Sequence, residues 1–202
     1  MIKKYCNLLI FVTAAVAVAF AIVRFVSIEE GQAKAVSQAV PQSFFGKGPQ
    51  TSVVHSQFNF HVVAPGIWRS GQPNQESLLR MKQYGLKTVI NLRNEDGPMQ
   101  LWEKALAEKL SLKYCHFPMD AWRRQNKETL KEILRIISDP TNQPVLVHCH
   151  AGKDRTGLVI ALYKLQFSGA RFDDVYKEML MYGYDEENFP EIIETVRSWK
   201  ER

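Results

Sequence analysis

A cysteine and an arginine lie six residues apart in one short polar segment of this chain. Residues 148–157 read His-Cys-His-Ala-Gly-Lys-Asp-Arg-Thr-Gly and directly follow the apolar residues 144–147. The pattern predicts a buried strand, a loop that begins at Cys149, and an apolar helix that begins near Thr156. The backbone amides of such a loop converge on one place, which suits a tetrahedral anion. The segment therefore indicates an anion-binding loop with a nucleophilic thiol inside it.

Each residue type in this loop suits phosphoryl transfer to sulfur. Because a helix N-terminus and neighbouring cations help a thiol to ionise, Cys149 can attack phosphorus and form a phosphocysteine. Arg155 can bind two phosphate oxygens with its planar guanidinium, and the Thr156 hydroxyl can bond the sulfur as it leaves. The amides and Arg155 stabilise the equatorial oxygens, so we expect neither a metal nor a cofactor. Gly152 and Gly157 are expected where a side chain would hinder the backbone.

The motif His-Cys-x-x-Gly-x-x-Arg-Thr-Gly resembles the signature of the protein tyrosine phosphatase superfamily. Residues 66–73 and 85–93 are also similar to the start of the atypical dual-specificity phosphatases of bacteria, plants and fungi, so the resemblance covers about residues 56–182. It implies a phosphatase that acts on phosphotyrosine or on mixed phosphoprotein substrates. Arsenate reductases and sulfurtransferases, which also carry a cysteine in an anion loop, are the alternative class. The implied phosphate-binding residues are those of the loop: His150, Ala151, Gly152, Lys153, Asp154 and Arg155.

Two aspartates are candidates for the general acid that protonates the leaving oxygen. Asp120 follows the predicted strand at residues 112–117 and matches the mobile acid loop of dual-specificity phosphatases. Asp154 is the alternative, because myotubularin lipid phosphatases and a group of bacterial phosphatases that act on phosphotyrosine and phosphoinositides carry an aspartate at this place in the loop. His148 is expected to hydrogen-bond the loop. Glu95 is expected at the same edge of the sheet, in a turn.

Strands alternate with helices along residues 56–202, which we assign to one catalytic domain. The predicted strands are residues 58–63, 67–69, 86–92, 112–117 and 145–148, and the predicted helices are residues 75–84, 98–110, 127–138, 156–167, 172–181 and 190–199. This alternation predicts an α/β fold with a mainly parallel central sheet flanked by helices, as in the dual-specificity phosphatases. Ligands bind such sheets beyond the carboxyl ends of the strands.

A separate apolar segment precedes the domain. Residues 8–23 form an apolar run, with Lys3 and Lys4 before it. We expect residues 1–28 to form a hydrophobic helix that anchors the chain in the membrane, with a cleaved signal peptide as the alternative. The lysines favour a cytoplasmic N-terminus. In a bacterium this makes the chain a single-pass inner-membrane protein with a periplasmic catalytic domain, and residues 29–55 are then a linker.

The composition narrows the class of partner. The net charge is +5, and no basic run with interleaved aromatic residues indicates nucleic acid. We expect a phosphorylated protein or a phosphoinositide as the substrate, and the membrane as a partner of the N-terminal helix. The alternative functions are a phosphoinositide or inositol-phosphate phosphatase and a phosphate-binding adaptor without turnover. Three cysteines make no disulfide framework. Cys115 ends a predicted strand that we expect to neighbour the strand leading to Cys149. We expect Cys115 to be inert, with a reversible disulfide to Cys149 as the alternative.

Overall fold

The computed structural model describes residues 58–95 and 97–199, which form a five-stranded sheet flanked by helices. The strands are β1 (His61–Ala64), β2 (Ile67–Ser70), β3 (Thr88–Asn91), β4 (Lys113–His116) and β5 (Val145–His148). The helices are α1 (Gln75–Gln83), α2 (Gly97–Lys109), α3 (Lys127–Ser138), α4 (Asp154–Phe167), α5 (Phe172–Met181) and α6 (Pro190–Arg197).

The strand order is β1-β2-β5-β3-β4, with β5 in the centre. Strands β2, β5, β3 and β4 are parallel, and Ser70 and Asn91 both pair with His148, so the carboxyl ends of β2, β3 and β5 meet at one edge. Strand β1 runs antiparallel to β2, because a tight turn at Gly66 joins the two. The predicted parallel arrangement is confirmed for four strands, and the sheet as a whole is mixed.

Alternating side chains of the strands bury both faces of the sheet. On one face, Ile67 and Val147 pack with apolar residues of α3, α4, α5 and α6. On the other face, Trp68 and Leu146 pack with residues of α1 and α2. Successive side chains of a strand point to opposite faces, so strands covered on both sides are apolar almost throughout. This explains why the central strand could be recognised from its sequence.

Local capping and backbone conformation set the ends of several elements. Asn74 caps α1, as predicted, by accepting a hydrogen bond from the Ser77 amide at 2.8 Å. The predicted helix at residues 127–138 agrees with α3 at both ends. Strand β1 begins at His61, later than predicted, because Asn59 has a φ of 39°, in the left-handed region that strands do not use. Asparagine tolerates this conformation better than most residues.

The expected neighbourhood of Cys115 is wrong. Strand β3 lies between β4 and β5, with Ile90 paired to both Cys115 and Val147. Cys115 therefore lies two strand spacings, or about 10 Å, from the strand that leads to Cys149. A disulfide needs Cα atoms within about 7 Å, so this fold does not bring the two thiols together. Burial also raises the pKa of the Cys115 thiol, which makes it a poor nucleophile.

Within residues 58–95 and 97–199, no helix has both the length and the apolar character required to cross a membrane. The predicted anchor at residues 1–28 and the predicted linker at residues 29–55 lie outside the described residues.

Candidate active site

Cys149 lies just beyond the end of the central strand β5, at the edge where β2 and β3 also end. It is 2% exposed. Helix α4 begins five residues later, at Asp154. The predicted sequence of strand, loop and helix is thus confirmed. The positive end of the α4 dipole faces the loop, which favours a bound anion there.

Every backbone carbonyl of residues 148–153 accepts a hydrogen bond from the protein. The donors are the side chains of Asn59, Arg69 and His148 and the amides of Gln72, Leu92 and Gly157. In contrast, no described residue accepts a hydrogen bond from the amides of residues 150–153. The loop therefore directs its carbonyls into the protein and leaves its N–H groups for an oxyanion.

Gly152 is the residue at which this loop touches the neighbouring backbone. Its φ is +70°, and a Cβ atom there would lie 2.5 Å from both Gly71 N and the carbonyl carbon of Ser70. Only glycine fits, as predicted. The matching prediction for Gly157 is wrong, because a Cβ there would meet Met179 at an ordinary distance of 3.8 Å.

A buried polar cluster holds the inner side of the loop. Arg69 on β2 is 1% exposed, donates to the Gly152 carbonyl at 2.6 Å and lies over the ring of Tyr182 at 4.2 Å. Asn59 donates to the carbonyls of Gly152 and Tyr182, both at 3.2 Å. Nε2 of His61 lies 2.9 Å from the side-chain Oδ1 of Asn59. Burial, with the charge of Arg69, lowers the pKa of His61 to about 4, so His61 is neutral near pH 7.

Arg155 extends from the first turn of α4 to the loops that follow β3 and β4. Its terminal nitrogens donate to both carboxylate oxygens of Glu95 at 2.7 and 3.0 Å, and one of them donates to the Met119 carbonyl at 3.3 Å. Burial alone would raise the pKa of Glu95, but the hydrogen bonds and charge of Arg155 lower it to about 2. Glu95 thus lies at the active edge, as expected, but the turn role that we favoured for it is wrong, because its carboxylate orients the guanidinium.

Both candidate acids lie at this edge of the sheet, in different settings. Asp120 follows the carbonyl that contacts Arg155. Its Oδ1 accepts from the Trp122 amide at 2.9 Å, and its side chain is 35% exposed. Asp154 is the first residue of α4 and accepts from the Asp185 amide at 3.1 Å. Burial raises the pKa of Asp154. The structure thus places both residues at the edge that carries Cys149, and only the loop of Asp120 contacts the arginine, through the Met119 carbonyl.

The other predicted residues differ in how the fold uses them. Thr156 is fully buried, and among the described residues its hydroxyl finds no hydrogen-bond partner, so the expected bond to the Cys149 sulfur is not made in this structure. A buried hydroxyl without a partner costs about 1–3 kcal/mol. His150 is exposed, and Lys153 is half-buried with its stem against Gly183. His150 and Lys153 therefore lie at the outer rim of the catalytic loop.

Four residues that hold the site were not predicted from the sequence: Asn59, Arg69, Glu95 and Glu103, whose Oε1 lies 3.1 Å from Nε2 of His148. They precede the loop in sequence by more than 40 residues and come from four separate segments. The sequence did contain a signal for Arg69, because this charged residue lies within the predicted strand at residues 67–69. The structure buries that strand along its whole length. A buried arginine needs partners, and its partner is the loop.

Comparisons with known proteins agree with this geometry. The family model described as "PTP-NADK: DSP-PTPase phosphatase fused to NAD+ Kinase" matches residues 55–192. The putative tyrosine-protein phosphatase OCA1 of Meyerozyma guilliermondii is 30% identical over 149 residues, which are 63% of this chain and 80% of that protein. Inositol diphosphatase DSP2 of Oryza sativa subsp. japonica is 33% identical over 120 residues, which are 57% of this chain and 58% of that protein.

A solved crystal structure has the same fold as this chain. TpbA, a dual specificity protein phosphatase of Pseudomonas aeruginosa, has a crystal structure with a TM-score of 0.61 and 26% identity that covers 73% of this chain and 88% of its own. The fold and the loop thus define a cysteine phosphatase of the protein tyrosine phosphatase class. The chain belongs to the DSP-PTPase phosphatase family, and it is a tyrosine or dual-specificity type phosphatase.

Proposed function

We propose that this phosphatase transfers a phosphoryl group first to Cys149 and then to water. The observation that carries the proposal is the row of amides at residues 150–153, which have no acceptor among the described residues and lie between Cys149 and the N-terminus of α4. With Arg155, these donors face the oxygens on which charge develops in the transition state. They supply this stabilisation without a metal ion.

In the first step the Cys149 thiolate attacks phosphorus. A sulfur–phosphorus bond forms while the bond from phosphorus to the ester oxygen breaks, and the Asp120 carboxyl gives its proton to that oxygen. Asp120 is suited to this role because its loop contacts Arg155 through the Met119 carbonyl. Arg155 binds two of the equatorial oxygens through the donors that Glu95 does not occupy.

In the second step water attacks the phosphocysteine. Asp120, now ionised, takes the proton of the water, inorganic phosphate leaves, and the thiolate of Cys149 is restored. The buried hydroxyl of Thr156, which has no described partner, donates to the departing sulfur and stabilises its charge. The role of this hydroxyl thus begins only when the sulfur becomes a leaving group.

Hydrolysis of p-nitrophenyl phosphate in EDTA tests the reaction. Wild-type protein should turn over, and Cys149→Ser should lose activity by at least about 10³-fold while still binding tungstate in a calorimeter. Mass spectrometry of acid-quenched wild type should find phosphate on the Cys149 peptide. Activity that requires an added metal would contradict the proposal. Tungstate binding without any turnover by wild type would favour a phosphate-binding adaptor.

The leaving group distinguishes the two candidate acids. Asp120→Asn should slow phenyl phosphate, whose leaving oxygen needs a proton, by about 10²-fold and slow p-nitrophenyl phosphate much less. Asp154→Asn is the matched control, because it also removes one carboxylate at the same edge. If Asp154→Asn shows the leaving-group dependence and Asp120→Asn does not, Asp154 is the acid.

We propose phosphotyrosine or other phosphoprotein residues as the substrates, with inositol phosphates or phosphoinositides as the second candidate. Both classes occur in the names of relatives, a dual specificity protein phosphatase and an inositol diphosphatase. Lys153 and the exposed His150 at the rim favour the second class, because they add positive charge beside the phosphate site. Side-by-side assays of phosphotyrosine peptides and inositol phosphates distinguish the two substrate classes. Lys153→Met should weaken the binding of the highly charged inositol phosphates and leave that of phosphotyrosine peptides unchanged.

We also propose that residues 1–28 anchor the chain in the inner membrane, with the catalytic domain in the periplasm. Lys3 and Lys4 before the apolar residues 8–23 support this orientation. Protease added to spheroplasts should digest a membrane-bound catalytic domain. A shortened, freely released periplasmic protein would instead identify a cleaved signal peptide, and full protection from protease would contradict export.

A further inference from the structure

Glu103, in the middle of α2, is a carboxylate with no exposed surface. Gln72 donates to its Oε1 at 2.9 Å, and Asn91 and Tyr114 donate to its Oε2 at 2.6 and 3.2 Å. Burial alone would raise the pKa of Glu103, but the charge of His148 and these hydrogen bonds hold it below its usual value. A buried carboxylate costs several kcal/mol unless it is paired. The titratable group beside it is His148, whose Nε2 lies 3.1 Å from Glu103 Oε1.

His148 is also fully buried, and each of its ring nitrogens faces an oxygen. Nε2 lies 3.1 Å from Glu103 Oε1, at an angle that falls short of a hydrogen bond, so this contact is electrostatic. Nδ1 lies 3.3 Å from the Cys149 carbonyl oxygen. An ionised carboxylate and a carbonyl can only accept. A ring nitrogen without hydrogen would face a lone pair at either position, so the surroundings favour the doubly protonated ring.

We propose that Glu103 is a positioning residue that keeps His148 as an imidazolium directly behind Cys149. The cation favours the thiolate over the thiol at the residue whose carbonyl it contacts. This inference rests on the proposed role of Cys149 as the nucleophile, and it adds the buried carboxylate that charges the histidine.

The same carboxylate is linked to the catalytic arginine through three side chains. The Gln72 side chain joins Glu103 to Arg93, because Arg93 donates to Gln72 Oε1 at 2.7 Å. Arg93 Nε lies 3.3 Å from Glu95, and Glu95 holds both terminal nitrogens of Arg155. One polar network therefore reaches from His148 to Arg155.

The charged and titratable groups around this pair come from each packed element. They are Glu103 on α2, Tyr114 on β4, Arg93 after β3, and Cys149 in the catalytic loop. Glu95 and Arg155 lie further along the network, beyond Arg93. Burial, with the charge of Glu103, raises the pKa of Tyr114, so Tyr114 stays a neutral donor. Glu103 is thus the member of this set that supplies negative charge to the ring before the thiol ionises.

Glu103→Gln tests the proposal with little change of shape. An amide nitrogen can face Nε2, so the ring returns to its neutral form with hydrogen on Nδ1. We expect the pH midpoint of Cys149 alkylation by iodoacetamide, followed by mass spectrometry of the Cys149 peptide, to move up by about one pH unit. The alkylation rate at pH 5.5 should fall about tenfold. Alkylation needs no turnover, so the result is independent of the assay of the proposed function.

Two further variants separate charge from structure. Tyr114→Phe removes a hydrogen bond to the same carboxylate and keeps its charge, so it should lower the melting temperature and leave the alkylation midpoint unchanged. His148→Asn keeps a donor for the Cys149 carbonyl and removes the cation, so it should raise the midpoint as Glu103→Gln does. The double variant Glu103→Gln/His148→Asn should show no additional rise.

The outcomes separate the failure of this inference from the failure of the proposed function. The inference fails if folded Glu103→Gln has the alkylation midpoint of wild type, or if the two rises add in the double variant. Turnover by wild type would still support the proposed function in that case. If Glu103→Gln does not fold, His148→Asn provides the test. An unchanged alkylation midpoint in His148→Asn overturns the inference. Wild type without turnover overturns the proposed function, whatever the alkylation profiles are.

Discussion

Replacing Gly152 by alanine should disable the catalytic site more than it destabilises the fold. The added Cβ would lie 2.5 Å from Gly71 N and 2.7 Å from the Ser70 oxygen, whereas ordinary contacts begin at 3.4 Å. These neighbours are backbone atoms, which cannot rotate away as the end of a side chain can. The loop therefore has to move by about 1 Å, and a displacement of this size at reacting groups costs about 10²-fold in rate.

The same substitution also costs stability. A φ of +70° strains any residue with a Cβ by about 1–2 kcal/mol. The movement also weakens the 2.6 Å hydrogen bond from Arg69 to the Gly152 carbonyl, which adds about 1 kcal/mol. We expect kcat/KM for p-nitrophenyl phosphate to fall about 100-fold or more, and the free energy of unfolding in urea to fall by about 2–3 kcal/mol.

Two other glycines provide matched controls. Gly169 has a φ of +65° and open space around its Cβ position, so Gly169→Ala carries the strain without the collision. It should lose about 1–2 kcal/mol of stability and keep its kcat/KM. Gly97→Ala has neither feature and should be close to wild type. Equal kcat/KM values for Gly152→Ala and Gly169→Ala would refute the reasoning, because the collision would then have no effect on the loop.

Arg69→Met should lower both kcat/KM and the free energy of unfolding, because the Gly152 carbonyl loses its shortest hydrogen bond. The loss of stability should be about 2 kcal/mol. Unchanged turnover together with a normal urea transition would mean that the loop does not depend on this bond. Stability should fall as the pH drops from about 6.5 to about 4, because the pKa of His61 is about 4 in the fold and 6.5 outside it, and the unfolded chain therefore takes up the proton first. The full loss is up to about 3 kcal/mol, and urea unfolding of His61→Gln over this range should show a flatter curve; an identical curve would assign the dependence to other groups. Glu95→Gln should reduce kcat/KM about tenfold with little change in Tm, because the Glu95 side chain is 42% exposed and exposed ion pairs contribute about 1 kcal/mol or less. A large fall in Tm with full activity would contradict a role in orienting Arg155.

The catalytic loop could be predicted because its parts are contiguous in the sequence. Strand β5, Cys149, Arg155 and the start of α4 fall within one short stretch, so an apolar run and the motif after it were sufficient. The strand order was not encoded in the same way. Nothing local indicates that β3 lies between β4 and β5, which is why the strand of Cys115 was wrongly expected beside the strand that leads to Cys149.

The residues that hold the loop could not be predicted because tertiary packing assigns their roles. A glutamate within a helix is usually exposed, and only the packing of α2 on the sheet makes Glu103 a buried partner of His148. Asn59 acts on the loop through a left-handed backbone conformation that its sequence neighbours do not indicate. Gly157 shows the reverse error, because its place in the motif suggested a close contact where the fold leaves room for a methyl group.

The bonded carbonyls of residues 148–153 make this loop a preformed receptor that needs no rearrangement when an oxyanion arrives. Such a receptor accommodates inorganic phosphate as readily as the phosphate end of an ester, so the released product should compete with each new substrate molecule. The residues at the rim of the loop, which include His150 and Lys153, must then distinguish one phosphate ester from another. Substrate preference can therefore change through substitutions at the rim while the chemical apparatus stays the same.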